Sequence, residues 1–493
     1  MHADTTPQSF PRAPLTEGTR RRFMVAVLMS AVAASSGITV IYTMLVTLYR
    51  VFPGSASVGW TVTAYWLGAA VFAAICGRLG DLLGYRRVLL IVLVVAAAGG
   101  LVAACAQKSI AVLIAGCVMQ SIASGITPLS MGLVRENLPS RQIPSAVGLI
   151  SAAGMVSAGL VYICAGIVVD HYSWQGGFWL KVALCAITIA AVRLWVPESS
   201  RRVSERINFV RGLAFAPALC AILFAVQQVH VWGIMDPRIW GILIASLVVL
   251  WLWARDQRRV TNPLINIRIL AKRQVILANV CMMCIAIGAM QLGQVFSMLL
   301  QQPAWTHAGF GLTATQAGLL MFTINSGAMI ASPWSGRIAA HHEARRAALI
   351  GMTMLVITWT SLILLRSNLL LFVPGAMLCS FGLAFAHTAV YNLIIEAAPA
   401  EQTGEATGLL YVFFSCFFAV GAQAVFTLLQ GASVNEGGAS FPTAQSYVAV
   451  FGYVAGSALA GLAIAYVLPR RRGPGRRSRA LDGAGVSGPA RVR

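Results

Sequence analysis

Charge is what this sequence has least of. Asp, Glu, Lys and Arg make up 10% of its 493 residues, where a soluble chain carries roughly 25%. Acids are the scarcer sign, 15 against 36 Lys plus Arg, and none lies midway along any of the long apolar runs. An intramembrane carboxylate, the usual proton carrier of a membrane helix, is therefore missing. Lysine is nearly absent, with Lys108, Lys181 and Lys272 alone. The ten cysteines are scattered, nearly all within apolar segments, so no disulfide framework is implied. Cys281 and Cys284 form a C-x-x-C inside an apolar run without further ligands nearby, a pattern of packing rather than of metal or redox chemistry. No metal site and no cofactor is assigned.

What is present is apolar length. The chain is 58% hydrophobic with a mean hydropathy of +0.77, and stretches of ~20 apolar residues, each able to cross a bilayer as a helix, recur throughout. The reading is an all-α polytopic membrane protein with spans at 24–48, 58–76, 88–106, 110–134, 146–168, 175–196, 212–231, 237–254, 275–300, 315–334, 347–365, 369–394, 407–430 and 446–468. Residues 1–23 form a polar tail. The run after Arg20-Arg21-Arg22 is too long for a signal-peptide core and is read as a retained first helix. Trp60, Trp174, Trp232, Trp240 and Trp305 fall near span ends, where an interfacial aromatic belt is expected.

The net charge of +21 would suggest nucleic acid in a soluble chain. Here all but five of the 36 Lys and Arg fall on one side of the span map. Arg50, Lys108, Arg238 and Arg366 fall on the other, and Lys181 lies inside a helix. That is the positive-inside bias. It places both termini in the cytoplasm and makes the arginine-rich tail 469–493 an anchor near anionic lipid, with no nucleic-acid partner.

The stretch that organises the first half is Gly77-Arg78-Leu79-Gly80-Asp81-Leu82-Leu83-Gly84-Tyr85-Arg86-Arg87. Its glycines permit a tight turn and close helix approach, and Asp81 supplies a carboxylate suited to a helix start. The pattern Gly-x-Leu-x-Asp-x-x-Gly-x-basic-basic resembles the loop joining the second and third membrane helices of the major facilitator superfamily. A weaker copy, Gly336-Arg337-Ile338 through Arg345-Arg346, follows the tenth span. It keeps the opening Gly-Arg and the closing Arg-Arg, which reads as a duplicated bundle.

The layout is similar to the fourteen-helix drug:proton antiporter branch of that superfamily, with Trp60-Thr61-Val62-Thr63-Ala64-Tyr65 and Val196-Pro197-Glu198-Ser199 as further points of likeness. The resemblance implies a major facilitator fold of two pseudo-symmetric six-helix bundles, 24–196 and 275–468, around a central cavity, with an accessory two-helix insert within 197–274. It implies alternating access, in a bacterial inner membrane, as a monomer. It also implies a conformational latch made of Gly77, Asp81, Gly84, Arg86, Arg87 and Glu136. In that latch Asp81 faces the start of span 13 near Thr407 and Gly408, and Arg86 pairs with Glu136.

The chain departs from the branch at three points. Where relatives carry an intramembrane Arg three residues before Gln120 stands Cys117. The Gly-Pro of the fifth-helix motif is Val161-Tyr162. The first helix reads Ser35-Ser36-Gly37-Ile38-Thr39, with no acid.

The polar inventory for a cavity or for coupling is Ser36, Thr39, Gln120, Lys181, Gln291, Gln294, Asn325, His387 and Tyr391. Lys181 either binds an anionic group and changes protonation or snorkels outward near Asp170. His387 and Tyr391, four apart, share a helix face. Such a cavity, polar and mostly uncharged, suits neutral, zwitterionic or anionic molecules better than lipophilic cations. The expected activity is export of small amphiphilic molecules (drug or metabolite efflux), with proton-coupled antiport by resemblance. The alternative is an uncoupled facilitator or importer of the same fold. A membrane-embedded enzyme would need clustered His, Asp, Glu or Cys at a membrane face, and the acidic group Glu396, Glu401 and Glu405 has no His within it.

Overall fold

The computed structural model describes residues 16–52, 56–107, 109–139, 142–198, 214–233, 235–259, 273–341, 344–397, 403–436 and 439–468. The two tail segments 1–15 and 469–493, Lys108 and the loop at Glu401 lie outside the described residues, as does most of the basic stretch between Arg255 and Arg273.

Among the described residues fourteen long helices follow one another: α1 (Glu17–Val51), α2 (Gly59–Leu83), α3 (Tyr85–Ala104), α4 (Ile110–Asn137), α5 (Ile143–His171), α6 (Trp174–Trp195), α7 (Phe215–Trp232), α8 (Pro237–Gln257), α9 (Arg273–Gln301), α10 (Ala314–His341), α11 (Ala344–Leu365), α12 (Leu369–Ala397), α13 (Thr403–Gln430) and α14 (Ala444–Val467). The shortest has 18 residues, about 27 Å at 1.5 Å per residue. Among the described residues eleven stretches are long and apolar enough to cross a membrane.

Two boundaries differ instructively from the sequence reading. The Gly-rich stretch is not mainly a loop, since α2 runs on to Leu83 and stops at Gly84, whose φ of 93° lies in the left-handed region. The copy at Gly336 is likewise the end of a helix, as α10 extends to His341. Between α13 and α14 the chain adds an antiparallel hairpin that hydropathy does not signal, β1 (Ser433–Glu436) and β2 (Ala439–Pro442).

The internal repeat is visible in the packing. In the first six helices α1 packs on α5 and α6, α2 on α4, and α3 on α4 and α6. In the last six the equivalent pairs recur: α9 on α13 and α14, α10 on α12, and α11 on α12 and α14. The closing arginines of the two copies also play matching parts. Arg86 donates from Nη2 to the Arg193 carbonyl near the end of α6 at 2.8 Å, and Arg345 donates from Nη2 to the Tyr466 carbonyl near the end of α14 at 2.6 Å.

The two bundles meet along two seams, α5 on α10 and α2 on α13, which the same pseudo-symmetry relates. Helices α7 and α8 pack on each other, and α7 lies across the second seam. Leu219 and Leu223 of α7 share a cluster with Leu67 of α2 and Ala419 of α13. The outward faces of α8 are apolar and exposed, as at Trp240, Leu247 and Trp251. Trp240 and Trp305 are exposed as an interfacial belt requires, but Trp174 is buried, its ring 6.1 Å from that of Phe52. It belongs to the core and not to the belt.

Candidate functional site

The site is built around a break in α9. Gly288 leaves the helical conformation (φ −117°, ψ −89°), and one turn of tighter helix, Ala289–Gln291, follows. A break orphans backbone carbonyls in a medium that offers no water. Gln291 satisfies one of them, with its Nε2 donating to the Ala286 carbonyl at 2.9 Å and to the Phe418 carbonyl of α13 at 3.1 Å. The same face of α9 continues with Gln294, fully buried, and Ser297, whose hydroxyl donates to the Tyr42 carbonyl of α1 at 2.8 Å. Both amide atoms of Gln294, and Oε1 of Gln291, have no hydrogen-bond partner among the described residues. Each buried, unsatisfied polar atom costs roughly 1–3 kcal/mol, so this face is built to bond something else.

Aromatic rings border it. Trp66 of α2 stacks on Phe418 (centroids 4.0 Å, planes 24° apart), meets Phe414 edge-on at 5.7 Å, and donates its indole N–H to the Tyr42 hydroxyl at 3.3 Å. Phe414 in turn touches His387 at 5.9 Å, and His387 lies 4.8 Å from Tyr391. The ladder thus runs from the first bundle through α13 to α12. Tyr162, which replaces the proline of the fifth-helix motif, lies against the same part of α9. A Cβ added at Gly293 would meet its hydroxyl at 2.9 Å.

The structure therefore brings together Gln291, Gln294, His387 and Tyr391 and sets other candidates apart. Lys181 is fully buried between α1 and α6, donating to the Ala33 carbonyl and, at 3.1 Å, to the Ser36 hydroxyl. It does not reach outward toward Asp170. Thr39 bonds back to the Ser35 carbonyl on its own helix at 3.0 Å. Asn325, on α10, does the same to Met321 at 2.8 Å. Gln120, in α4, is buried, and neither amide atom has a hydrogen-bond partner among the described residues.

Of the latch residues, Arg86 forms an ion pair with Glu198, a partner the sequence reading did not name. Glu136 is half-buried near the end of α4, Gly77 faces Pro128, and Arg87 is exposed. The side chains of Asp81 and of residues 403–409, hence the contact with Thr407 and Gly408, lie outside the described residues. Tyr42, Trp66, Phe414 and Phe418 escaped the sequence reading, in which Tyr162 figured only as a departure from the fifth-helix motif. The one available signal was Trp66, a tryptophan away from any span end.

The sequence profile of the Major Facilitator Superfamily matches residues 23–302 and 281–490. The chain belongs to this superfamily. Superfamily relatives include the Multidrug resistance protein Stp of Mycobacterium tuberculosis, 27% identical over 368 residues, which cover 72% of this chain and 66% of Stp. The Drug efflux pump JefA of the same organism is 26% identical over 308 residues, 61% of this chain and 58% of JefA. The chain thus spans about two thirds or less of the length of these relatives. Among solved structures, a D-xylose-proton symporter superposes with a TM-score of 0.66 at 13% identity, covering 92% of this chain and 98% of that one. The human organic anion transporter MFSD10 gives 0.61 at 16%, covering 90% and 99%. At these identities the superpositions establish the superfamily's fold. This chain carries the multi-span fold of that superfamily.

Proposed function

We propose that the chain exports small amphiphilic molecules, in the manner the names Stp and JefA suggest for its relatives, by alternating access of the units 24–196 and 275–468. The observation that carries this reading is the face of α9 with its unpartnered amides, Gln294 and Oε1 of Gln291, set beside the Trp66–Phe418–Phe414 ladder where the two bundles meet. Amides and rings without a carboxylate bond and stack uncharged or anionic solutes. A lipophilic cation would gain about 0.5–2 kcal/mol from the ring faces but find no carboxylate among the described residues of this face, against a burial cost of several kcal/mol. The favoured substrates are therefore neutral, zwitterionic or anionic. The positive-inside count supports an orientation in a bacterial inner membrane with both termini cytoplasmic, and the protein is read as a monomer.

Proton antiport is the coupling this reading adopts, with His387 and Lys181 as candidate titratable groups. An uncoupled facilitator or importer is the second reading, favoured by Cys117, by Val161-Tyr162 and by the absence of an acid midway along any span. Uptake of a mixed panel of neutral, anionic and cationic amphiphiles into everted membrane vesicles, with and without a protonophore, separates the two. Accumulation of the uncharged and anionic members that collapses with the protonophore is expected. Equilibration that ignores the protonophore would establish the facilitator, and saturable uptake of quaternary ammonium dyes would overturn the substrate class.

A further inference from the structure

Asp170 stands in the last turn of α5, where the helix dipole disfavours an acid. Its partners explain the placement. Helix α10 begins with Thr313-Ala314-Thr315-Gln316, a capping box. Gln316 Oε1 accepts from the Thr313 N–H at 3.1 Å, and Thr313 Oγ1 accepts from the Gln316 N–H at 3.3 Å. Two N–H groups of the first turn are left over, and Asp170 takes both. Its Oδ1 accepts from Ala314 at 3.0 Å and its Oδ2 from Thr315 at 2.7 Å. The carboxylate belongs to one bundle and the helix start to the other.

Directly beneath, the two backbones touch. A Cβ added at Gly166 would lie 2.5 Å from the Ala314 carbonyl oxygen, and one at Gly318 would lie 2.5 Å from the Tyr162 carbonyl oxygen. Neither neighbour is a movable side chain. Other cross-bundle bonds stand in the same half of the molecule, away from the chain termini: Ser297 to the Tyr42 carbonyl, and Thr63 Oγ1 to Gln423 Oε1 at 3.1 Å.

We propose that Asp170 and the α10 start form a clasp that holds the bundles shut at this end and sets the fraction of molecules open there. The inference rests on the alternating-access reading, since a clasp has a purpose only where the seam parts. Opening must release two charge-assisted bonds at once and solvate both the carboxylate and the two N–H groups. Because both oxygens are engaged, an amide in place of the carboxylate keeps the shape but can accept only one of the two bonds.

The test is a distance measurement, independent of any substrate. Spin labels at Tyr172→Cys and Ser433→Cys, both exposed and one on each bundle, report the opening in full-length protein reconstituted in lipid after the exposed Cys105, Cys164 and Cys220 are replaced by Ser. Asp170→Asn and Asp170→Ala are expected to raise the ratio of long to short distances by about tenfold, the ratio that ~1.4 kcal/mol carries. Asp170→Glu should restore part of the short population. Elution volume and thermal unfolding confirm that each variant is folded, and the isosteric Asn variant covers the case in which Ala is not. A distribution unchanged in both Asn and Ala variants overturns the clasp. If Gly166→Leu nonetheless lengthens the distance, the bundles do part, and the alternating-access reading survives the loss of the clasp.

Discussion

The two seams between the bundles are equivalents under the internal repeat, yet they are built from different chemistry. Where α5 ends and α10 begins, a carboxylate caps a helix start and glycines bring backbone against backbone. At the equivalent place on the other seam, Gly59 at the start of α2 packs against the ring of Phe426, and further along Trp66 stacks on Phe418. The first seam depends on fixed donors and fixed carbonyls and works in one register. The second carries one side-chain bond, Thr63 to Gln423, and otherwise rings, which can slide past one another while losing only about 0.5–1.5 kcal/mol per pair. A molecule that rocks about a central site gains from this inequality, because one seam can part all at once while the other shears.

The contrast can be broken most severely at Gly318. Gly318→Leu puts a side chain where a carbonyl already stands, so α10 must move away from α5. Transport into everted vesicles is expected to fall by tenfold or more, with a drop of several degrees in the thermal unfolding temperature measured in detergent. A milder effect is expected on the ring seam. Trp66→Ala removes a stack and an indole hydrogen bond, and should raise KM several-fold while Trp66→Phe, which keeps the stack, stays within about twofold. If both seams responded alike, the division into a rigid and a compliant seam would fall. The smallest effect on stability, and a telling one on transport, belongs to Gln294→Leu. Removing unsatisfied amide atoms should leave the unfolding temperature unchanged or raise it, since each such atom costs roughly 1–3 kcal/mol, while uptake of hydrogen-bonding neutral solutes falls. A loss of both stability and uptake would mark Gln294 as a packing residue.

Much of the fold was legible because hydropathy over ~20 residues is a direct statement about bilayer thickness. All fourteen helices lie where the apolar runs are, and the weak copy at Gly336–Arg346 corresponds to a real structural equivalence, carried by Arg86 and Arg345. The helix ends were less legible. Leu79, Leu82 and Leu83 continue a helical pattern through the glycines, and only the positive φ of Gly84 stops α2.

The site was legible in part. Polar residues within apolar runs stand out, so Gln291, Gln294, His387 and Tyr391 could be named as candidates. The aromatic partners were not, since a span that is apolar all round carries no periodicity to separate its bundle face from its lipid face. The physical idea attached to Asp81, a carboxylate facing a helix start in the other bundle, is realised in the described residues by Asp170. Thr313 and Gln316 announce a capping box, but no local pattern says that its two spare donors meet a carboxylate 144 residues earlier in the chain.

Helix α7 gives the molecule two unlike flanks toward the membrane. Along α2 and α13, Phe215, Leu219 and Leu223 of α7 are buried against the two helices, so a third layer of helix covers the seam there. On the opposite flank Leu160 and Ile167 of α5 and Leu319 and Ile330 of α10 are exposed to lipid directly. A lipid-soluble compound moving sideways between bilayer and interior thus finds one flank gasketed and the other bare. Were α7 and α8 absent, the two flanks would be alike in this respect, and the side of arrival would no longer matter.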